Sequence, residues 1–242
     1  MDRNEISLIN IQENSHWWHK SKLFLIHFFN PRLSKYNKDK VLDIGCGTGN
    51  FLLSIKKNRP NIIGIDNEDL CLKIATKKSL FNLIKQDLNK KLKIKSRSID
   101  EVYCLDVLEH INKDKELLSE INRVLKNEGR FTLFVPAIQS IYSYWDKKLG
   151  HFRRYSRADL IETLQENNFI IEYSTYFFFF TLPLTTIVRF IKTLTGSNNT
   201  DFFPLPNWVN QILFTLSKFE GKIAKIFPIP IGSSILIIAR KK

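Results

Sequence analysis

Cysteine is scarce in this chain: Cys46, Cys71 and Cys104 are the only three in 242 residues, and they lie far apart. So few and so scattered, they make neither a disulfide framework nor a paired Cys-x-x-Cys zinc site, and a reducing compartment, the cytoplasm, is expected. The opening MDRNEISLIN has early acids and no apolar core, so no signal peptide is expected there. Residues 173–188 carry no charge, but sixteen residues fall short of the roughly 20 that span a bilayer. There is no internal repeat and no low-complexity tail.

What the chain has in excess is positive charge. Lysine and arginine number 37 against 24 acids, a formal net charge of +13. That balance favours anionic partners: nucleic acid, an anionic membrane or a phosphorylated substrate. The lysines run along the whole chain, as a coding bias towards Lys, Asn and Ile would also leave them. Hydrophobic content of 43% is enough to bury a core, and the length suits one α/β domain with an elaboration.

The chain is organised around residues 41–52, VLDIGCGTGNFL. Val41, Leu42, Asp43 and Ile44 read as the end of a buried strand; Gly45, Gly47 and Gly49 alternate; Phe51 and Leu52 begin a helix. Glycines let backbone pass close to a ligand, and a helix start offers free N–H groups. The spacing G-x-G-x-G lacks the later glycine of the dinucleotide fingerprint. That argues against the alternative of a nucleotide-dependent reductase.

Further strands are expected at 61–66, ending on Asp66 just before Asn67, at 79–86, ending before Asp87-Leu88, at 98–105, ending on Cys104-Leu105 just before Asp106, and at 130–136, 169–177 and 233–240. Helices at 50–58, 113–126 and 156–167 separate them, the last with Ser156 as N-cap. Strand–helix repeats of this kind make a parallel sheet covered on both faces. Residues 1–35 read as a helical segment holding Trp17 and Trp18, a candidate lid. Residues 177–230 are an insertion with four consecutive phenylalanines, Phe177 to Phe180, and a second apolar helix at 208–227 carrying Lys218, Lys222 and Lys225 on one face. Apolar faces with basic rims suit either a cap over a pocket or a membrane interface. The core is then 36–176 with 231–242.

The glycine loop, Asp66, Asp87 and the Cys104–Asp106 stretch, in this order, resemble the motifs of the class I S-adenosylmethionine (SAM) dependent methyltransferases, and the Trp-Trp segment ahead of the loop resembles ubiquinone-pathway O-methyltransferases. GHFRRYS followed by LQENNF is similar to the GHxRRY segment of a large bacterial methyltransferase group, with Asn167-Asn168 in place of Ala-Gly. The resemblance implies a doubly wound, Rossmann-like sheet of seven strands whose last pair is antiparallel, with the helical insertion between strands six and seven. It implies SAM as cofactor and S-adenosylhomocysteine (SAH) as product. The cofactor residues would be Asp43, Gly45, Cys46, Gly47, Gly49, Asp66, Asn67, Asp87, Leu88, Cys104, Leu105 and Asp106, with Asp66 on the ribose hydroxyls and Asp87 near the adenine.

Methyl transfer asks chiefly for in-line placement and exclusion of water. A base is needed for a hydroxyl or protonated amine, and His151, oriented by Asp146 or Tyr155, is the candidate. Trp17, Trp18, Arg153, Arg154 and Tyr155 are candidates for substrate contact; alternatively the two arginines pair with Asp159 or Glu162. Asp106, Glu109 and His110 at i, i+3, i+4, with His151, are a candidate divalent-metal set similar to that of small-RNA methyltransferases; the alternative is that Glu and His pack beside the cofactor, as in very many metal-free methyltransferases with Leu-Glu-His here. The expected activity is methylation of oxygen or nitrogen on a small or lipid-like acceptor. The expected partners are that substrate and an anionic membrane surface rather than nucleic acid, in the cytoplasm or peripheral at the membrane's inner face. The non-enzymatic alternative is a methyltransferase-like module that binds membrane or RNA.

Overall fold

In the computed structural model, which describes residues 3–13, 15–195 and 205–242, seven strands make one sheet. They are β1 (Val41–Ile44), β2 (Ile62–Asp66), β3 (Leu83–Lys85), β4 (Ile99–Leu105), β5 (Leu125–Pro136), β6 (Phe169–Phe177) and β7 (Ser234–Lys241). Their order is β3-β2-β1-β4-β5-β7-β6. Pairing is parallel from β3 through to β5, and antiparallel for β5 with β7 and β7 with β6. The chain leaves β1 towards β2 on one side and returns to β4 on the other. The crevice at that reversal, outside the carboxyl ends of β1 and β4, is where open α/β sheets bind ligands.

The helices are α1 (Arg3–Gln12), α2 (Trp17–Phe29), α3 (Asn50–Ile55), α4 (Asp69–Lys77), α5 (Asp114–Val124), α6 (Tyr144–Leu149), α7 (Arg157–Glu166), α8 (Leu182–Thr195) and α9 (Asn207–Ile226). All four residues of β1 are buried because the sheet is covered on both faces. Leu42 and Ile44 join Val102, Leu133 and Ile237 against α5 and α7. Val41 joins Tyr103, Phe134 and Leu236 against Leu25 and Ile26 of α2, α3 and Ala224 of α9. No helix among the described residues is long and apolar enough to cross a membrane.

Several boundaries differ from the sequence expectation. The third strand shrinks from 79–86 to Leu83–Lys85, because Ser79 takes a positive φ of 63° and Leu80 is buried beside Gly49. The helix expected to 126 stops at Val124, and Leu125 already pairs with Ile99. Residues 126–129, between the expected helix and strand, form an irregular stretch of β5, with Glu128 at φ 63°. Asn168 does the work of the missing glycine after α7: it sits at φ 60°, a conformation asparagine tolerates better than most residues.

Of the insertion, residues 196–204 lie outside the described residues; the rest is α8, α9 and the turn after β6. Glu220 of α9 pins that turn, its Oε1 accepting the Phe179 N–H at 3.0 Å. Burial raises the Glu220 carboxyl from 4.5 to about 7, against the opposing pull of the Phe178, Phe179 and Phe180 N–H groups. A carboxyl raised on folding stabilises the fold fully below its unfolded pKa and loses that contribution as pH climbs through the folded value. The chain therefore loses stability between about pH 4.5 and pH 7 through this group, by roughly 3 kcal/mol at most. Glu220→Gln should remove that dependence: thermal unfolding at pH 5 and pH 8 should show a gain over wild type at the higher pH only.

Candidate functional site

The loop after β1 is shaped by left-handed backbone. Gly45 has φ 68° and Gly49 φ 80°, and a Cβ on them would strike Val107 Cγ2 at 2.3 Å and Leu80 Cδ1 at 2.4 Å. Gly47, at φ 53°, is different: a Cβ there would meet nothing within 4 Å. Its backbone faces open space, as a ligand approaching closely requires. Asp66, at the end of β2, closes the far side. Its Oδ2 accepts the Gly47 N–H at 2.8 Å and its Oδ1 the Glu68 N–H at 2.9 Å. Each carboxylate oxygen keeps a lone pair for a ligand donor. Burial raises the Asp66 carboxyl, and those two N–H groups offset it. Burial also raises Asp43 well above the carboxylate range, opposed by the nearby charge of Lys22.

The other expected cofactor residues lie along the same edge. Asn67 is exposed and Leu88 buried. Asp87 Oδ1 closes its own turn, accepting the Asn89 N–H at 2.9 Å and its side-chain amide at 3.1 Å. Burial pushes the Cys46 and Cys104 thiols far up and Cys71 to about 12, so none is a nucleophile at neutral pH.

The N-terminal helices cover this edge. Thr48 Oγ1 donates to Glu13 Oε1 at 2.5 Å, and Lys78 reaches Glu13 Oε2 at 3.2 Å. Lys22 of α2 pairs with Asp106 Oδ2 at 2.6 Å and lies 4.8 Å from the Trp18 ring centre. Trp17 and Trp18 both rest on Phe178, with ring centres 5.5 and 6.3 Å away, and the Trp17 backbone N–H donates to Asn210 Oδ1 at 2.9 Å. The aromatic pair thus joins α2 to the insertion.

Asp106 corrects one expectation. Its φ is 56°, and the helical turn that follows is a short 3-10 turn, Leu108–His110. The i, i+3, i+4 reading assumed a continuous α-helix and fails for that reason. Donor atoms of Glu109, His110 and His151 do come within 4.8 Å of one another, without Asp106. Among the described residues neither Glu109 carboxyl oxygen has a hydrogen-bond partner, and His151 Nε2 stands 4.0 Å from Oε1. Burial and Asp106 raise the Glu109 carboxyl, and burial with His151 lowers His110 to about 4, a neutral imidazole.

Asp146, not Tyr155, orients His151: Nδ1 is 3.0 Å from Asp146 Oδ1. The arginines pair elsewhere than expected. Arg153 meets Asp114 Oδ2 at 2.6 Å, and Arg154, its side chain 6% exposed, meets Asp146 Oδ1 at 2.7 Å, in place of Asp159 or Glu162. The Tyr155 hydroxyl donates between Leu108 O at 3.1 Å and Asp114 Oδ2 at 3.0 Å. All three line a cleft of about 230 Å³ beside α5 and α7, and their polar groups are committed to the protein. Arg189 of α8 also reaches Asp146, Nη1 to Oδ2 at 2.8 Å. Lys22, Glu13 and Arg189 are the site-building residues that sequence reading missed; for Lys22 and Arg189 a charge on a largely apolar helix was the available signal.

Residues 42–133 match a family described as methyltransferase domain. The chain is 24% identical over 201 residues to a ubiquinone biosynthesis O-methyltransferase of Rickettsia bellii, covering 70% of this chain and 83% of that one. Its fold is that of a SAM-dependent methyltransferase from Thermotoga maritima, at a TM-score of 0.62 and 16% identity over 99% of this chain and 96% of the other. It also resembles geranyl diphosphate C-methyltransferase from Streptomyces coelicolor, at a TM-score of 0.59 and 14% identity over 89% and 78% of the two chains.

Proposed function

We propose, from the methyltransferase-domain match of residues 42–133 and the relatives above, that the chain is a class I SAM-dependent methyltransferase that methylates a hydroxyl on a small, apolar or lipid-like acceptor. The observation that carries the cofactor reading is Gly47, whose open face and N–H are held in place by Asp66. The site fits an adenosyl cofactor: the glycine loop admits a close ligand, and Asp66 has acceptor capacity left for the vicinal ribose hydroxyls. When bound, SAM supplies a methyl on a sulfonium, which leaves without activation. Asp43, Asp87, Leu88 and the Cys104–Asp106 edge would line the rest of that site.

His151 is the base of this reading. Asp146 fixes the proton on Nδ1, which leaves Nε2 to take the proton of the acceptor hydroxyl. Trp17, Trp18 and Phe178 give the acceptor an apolar wall and keep water out. Residues 1–35 act as the lid and 177–230 as the cap, and opening the lid breaks the Lys22–Asp106 pair. The resemblance to an enzyme named for ubiquinone biosynthesis supports an apolar, hydroxyl-bearing acceptor. A cytoplasmic location, peripheral at the membrane, belongs to the same reading.

The test is a metabolite and lipid extract incubated with SAM, searched by mass spectrometry for a product heavier by one methyl. His151→Ala should lower its formation by about 10²–10⁴-fold and leave SAH affinity unchanged. An undiminished rate in that variant rules out the base. One observation favours a second reading of the same residues: the Glu109 carboxyl, without a hydrogen bond among the described residues, beside two imidazoles. Glu109, His110 and His151 have the donor set to hold a divalent ion, which as a Lewis acid would lower the pKa of an acceptor hydroxyl. Calorimetric titration with Mn²⁺ separates the two, because only the second reading gives binding that His110→Ala removes.

A further inference from the structure

The insertion shows more apolar surface than the fold uses. Leu184, Ile187 and Phe190 of α8 fall on one face at helical spacing and are 59%, 56% and 63% exposed. Trp208, Ile212 and Phe219 make a second stripe on α9, Trp208 being 67% exposed. Phe180, in the turn before α8, links the two, its ring centre 6.4 Å from that of Phe219. Neither helix is free to turn its stripe inward. The opposite face of α9 is already packed: Ser217, Glu220, Gly221 and Ala224 are buried, and a Cβ on Gly221 would approach Leu25 Cδ2 at 2.9 Å. Arg189 holds α8 by donating to Asp146 Oδ2 at 2.8 Å and Ile141 O at 2.7 Å.

We infer that this surface docks the enzyme on an anionic lipid bilayer, with α8 and α9 lying in the interface and not crossing it. Length decides between crossing and lying flat, since no described helix can span. Charge decides the occupant. The one acid of α9, Glu220, is buried; α8 has none; and Lys192, Lys218, Lys222 and Lys225 accompany the two apolar stripes. Lys218 and Lys225 lie over the Phe214 and Phe28 rings, 4.8 and 4.0 Å from their centres, stems along the apolar surface as interfacial lysines lie. A second copy of the chain would set these lysines against each other, whereas an anionic headgroup layer complements them. The inference goes beyond the choice of methyl acceptor and does not rest on it.

Flotation of the full chain tests it. Vesicles of phosphatidylcholine with about 30% phosphatidylglycerol should carry at least about tenfold more protein than phosphatidylcholine alone, and added salt should weaken the difference. Phe190→Glu with Trp208→Glu should lower flotation about tenfold or more while melting temperature and SAH affinity hold. Phe81→Glu, at a residue 76% exposed outside this surface, should float like wild type. Lys218→Gln and Lys222→Gln, which leave the apolar stripes untouched, should each lower binding by about fivefold. Equal flotation on both vesicles, or no loss in either the apolar pair or the lysine variants, overturns the inference. So does a lipid-independent dimer that the Phe190 and Trp208 substitutions dissociate.

Discussion

Asp146→Ala should be the most damaging single substitution in the chain. Its carboxylate is fully buried and serves Arg154 at 2.7 Å, Arg189 at 2.8 Å, His151 at 3.0 Å and the Ser143 backbone N–H at 2.9 Å. Desolvation alone would raise its pKa, but His151, Arg154 and Arg189 overcome it and hold the carboxyl well below the usual range. Removal strands two buried guanidinium groups, and breaking a buried pair typically loses about 3–5 kcal/mol. For a chain of this size that is a fall in melting temperature of roughly 10 °C or more. His151 loses its orientation at the same time, so turnover should fall at least about 100-fold. Asp146→Asn keeps the shape and one acceptor, and separates folding from chemistry if the alanine variant does not fold. Adding Arg189→Met to Asp146→Asn removes one stranded charge, so the double variant should lose less stability than the two single losses summed. The stabilisation from this carboxylate is present above its unfolded pKa near 3.8 and is lost as pH falls from there towards its lower folded value.

Asp66→Ala should cut SAH affinity by about 10²–10⁴-fold. Two hydrogen bonds from ribose hydroxyls to a carboxylate are worth about 1.5–3 kcal/mol each, and both would go. The loop would suffer too, because Asp66 also holds the Gly47 N–H. Asp66→Asn keeps an acceptor oxygen but no charge, so its loss should be intermediate. Melting temperature should move little in either variant, since the buried carboxyl is raised by desolvation and is no net support to the fold at rest. Equal SAH affinity in wild type and Asp66→Ala would remove the ribose role.

The parts of this molecule that could be read from the chain are the ones written locally. A buried strand running into Gly45, Gly47 and Gly49 is one uninterrupted pattern, and the sixth strand was expected at 169–177, where it lies. Asp66 could be placed because a strand end is visible in sequence. What could not be read are pairings between distant residues. Lys22 meets Asp106 across 84 positions, Arg189 meets Asp146 across 43 and Thr48 meets Glu13 across 35. Each is set by how helices at the chain's start and in the insertion fold back over the sheet, and nothing near either partner records it. Arg153 and Arg154 looked like ligand hands for the same reason: Asp114 and Asp146 are distant or on another turn. Asp106 failed differently. Its spacing from Glu109 and His110 was helical, but one residue at positive φ was enough to break the phase.

Helical phase holds where the helix is continuous. Leu184, Ile187 and Phe190 keep helical phase because α8 is a continuous helix, and the structure shows which side of it faces out. Sequence could find the stripe; only the buried face of α9 against α2 shows that the stripes are left over.

Calorimetric titration of the full chain with SAH, and separately with NADH, tests the central claim most directly. The glycine loop and Asp66 predict one site of micromolar-range affinity for SAH and no heat with NADH. Binding of NADH with none of SAH would contradict the account.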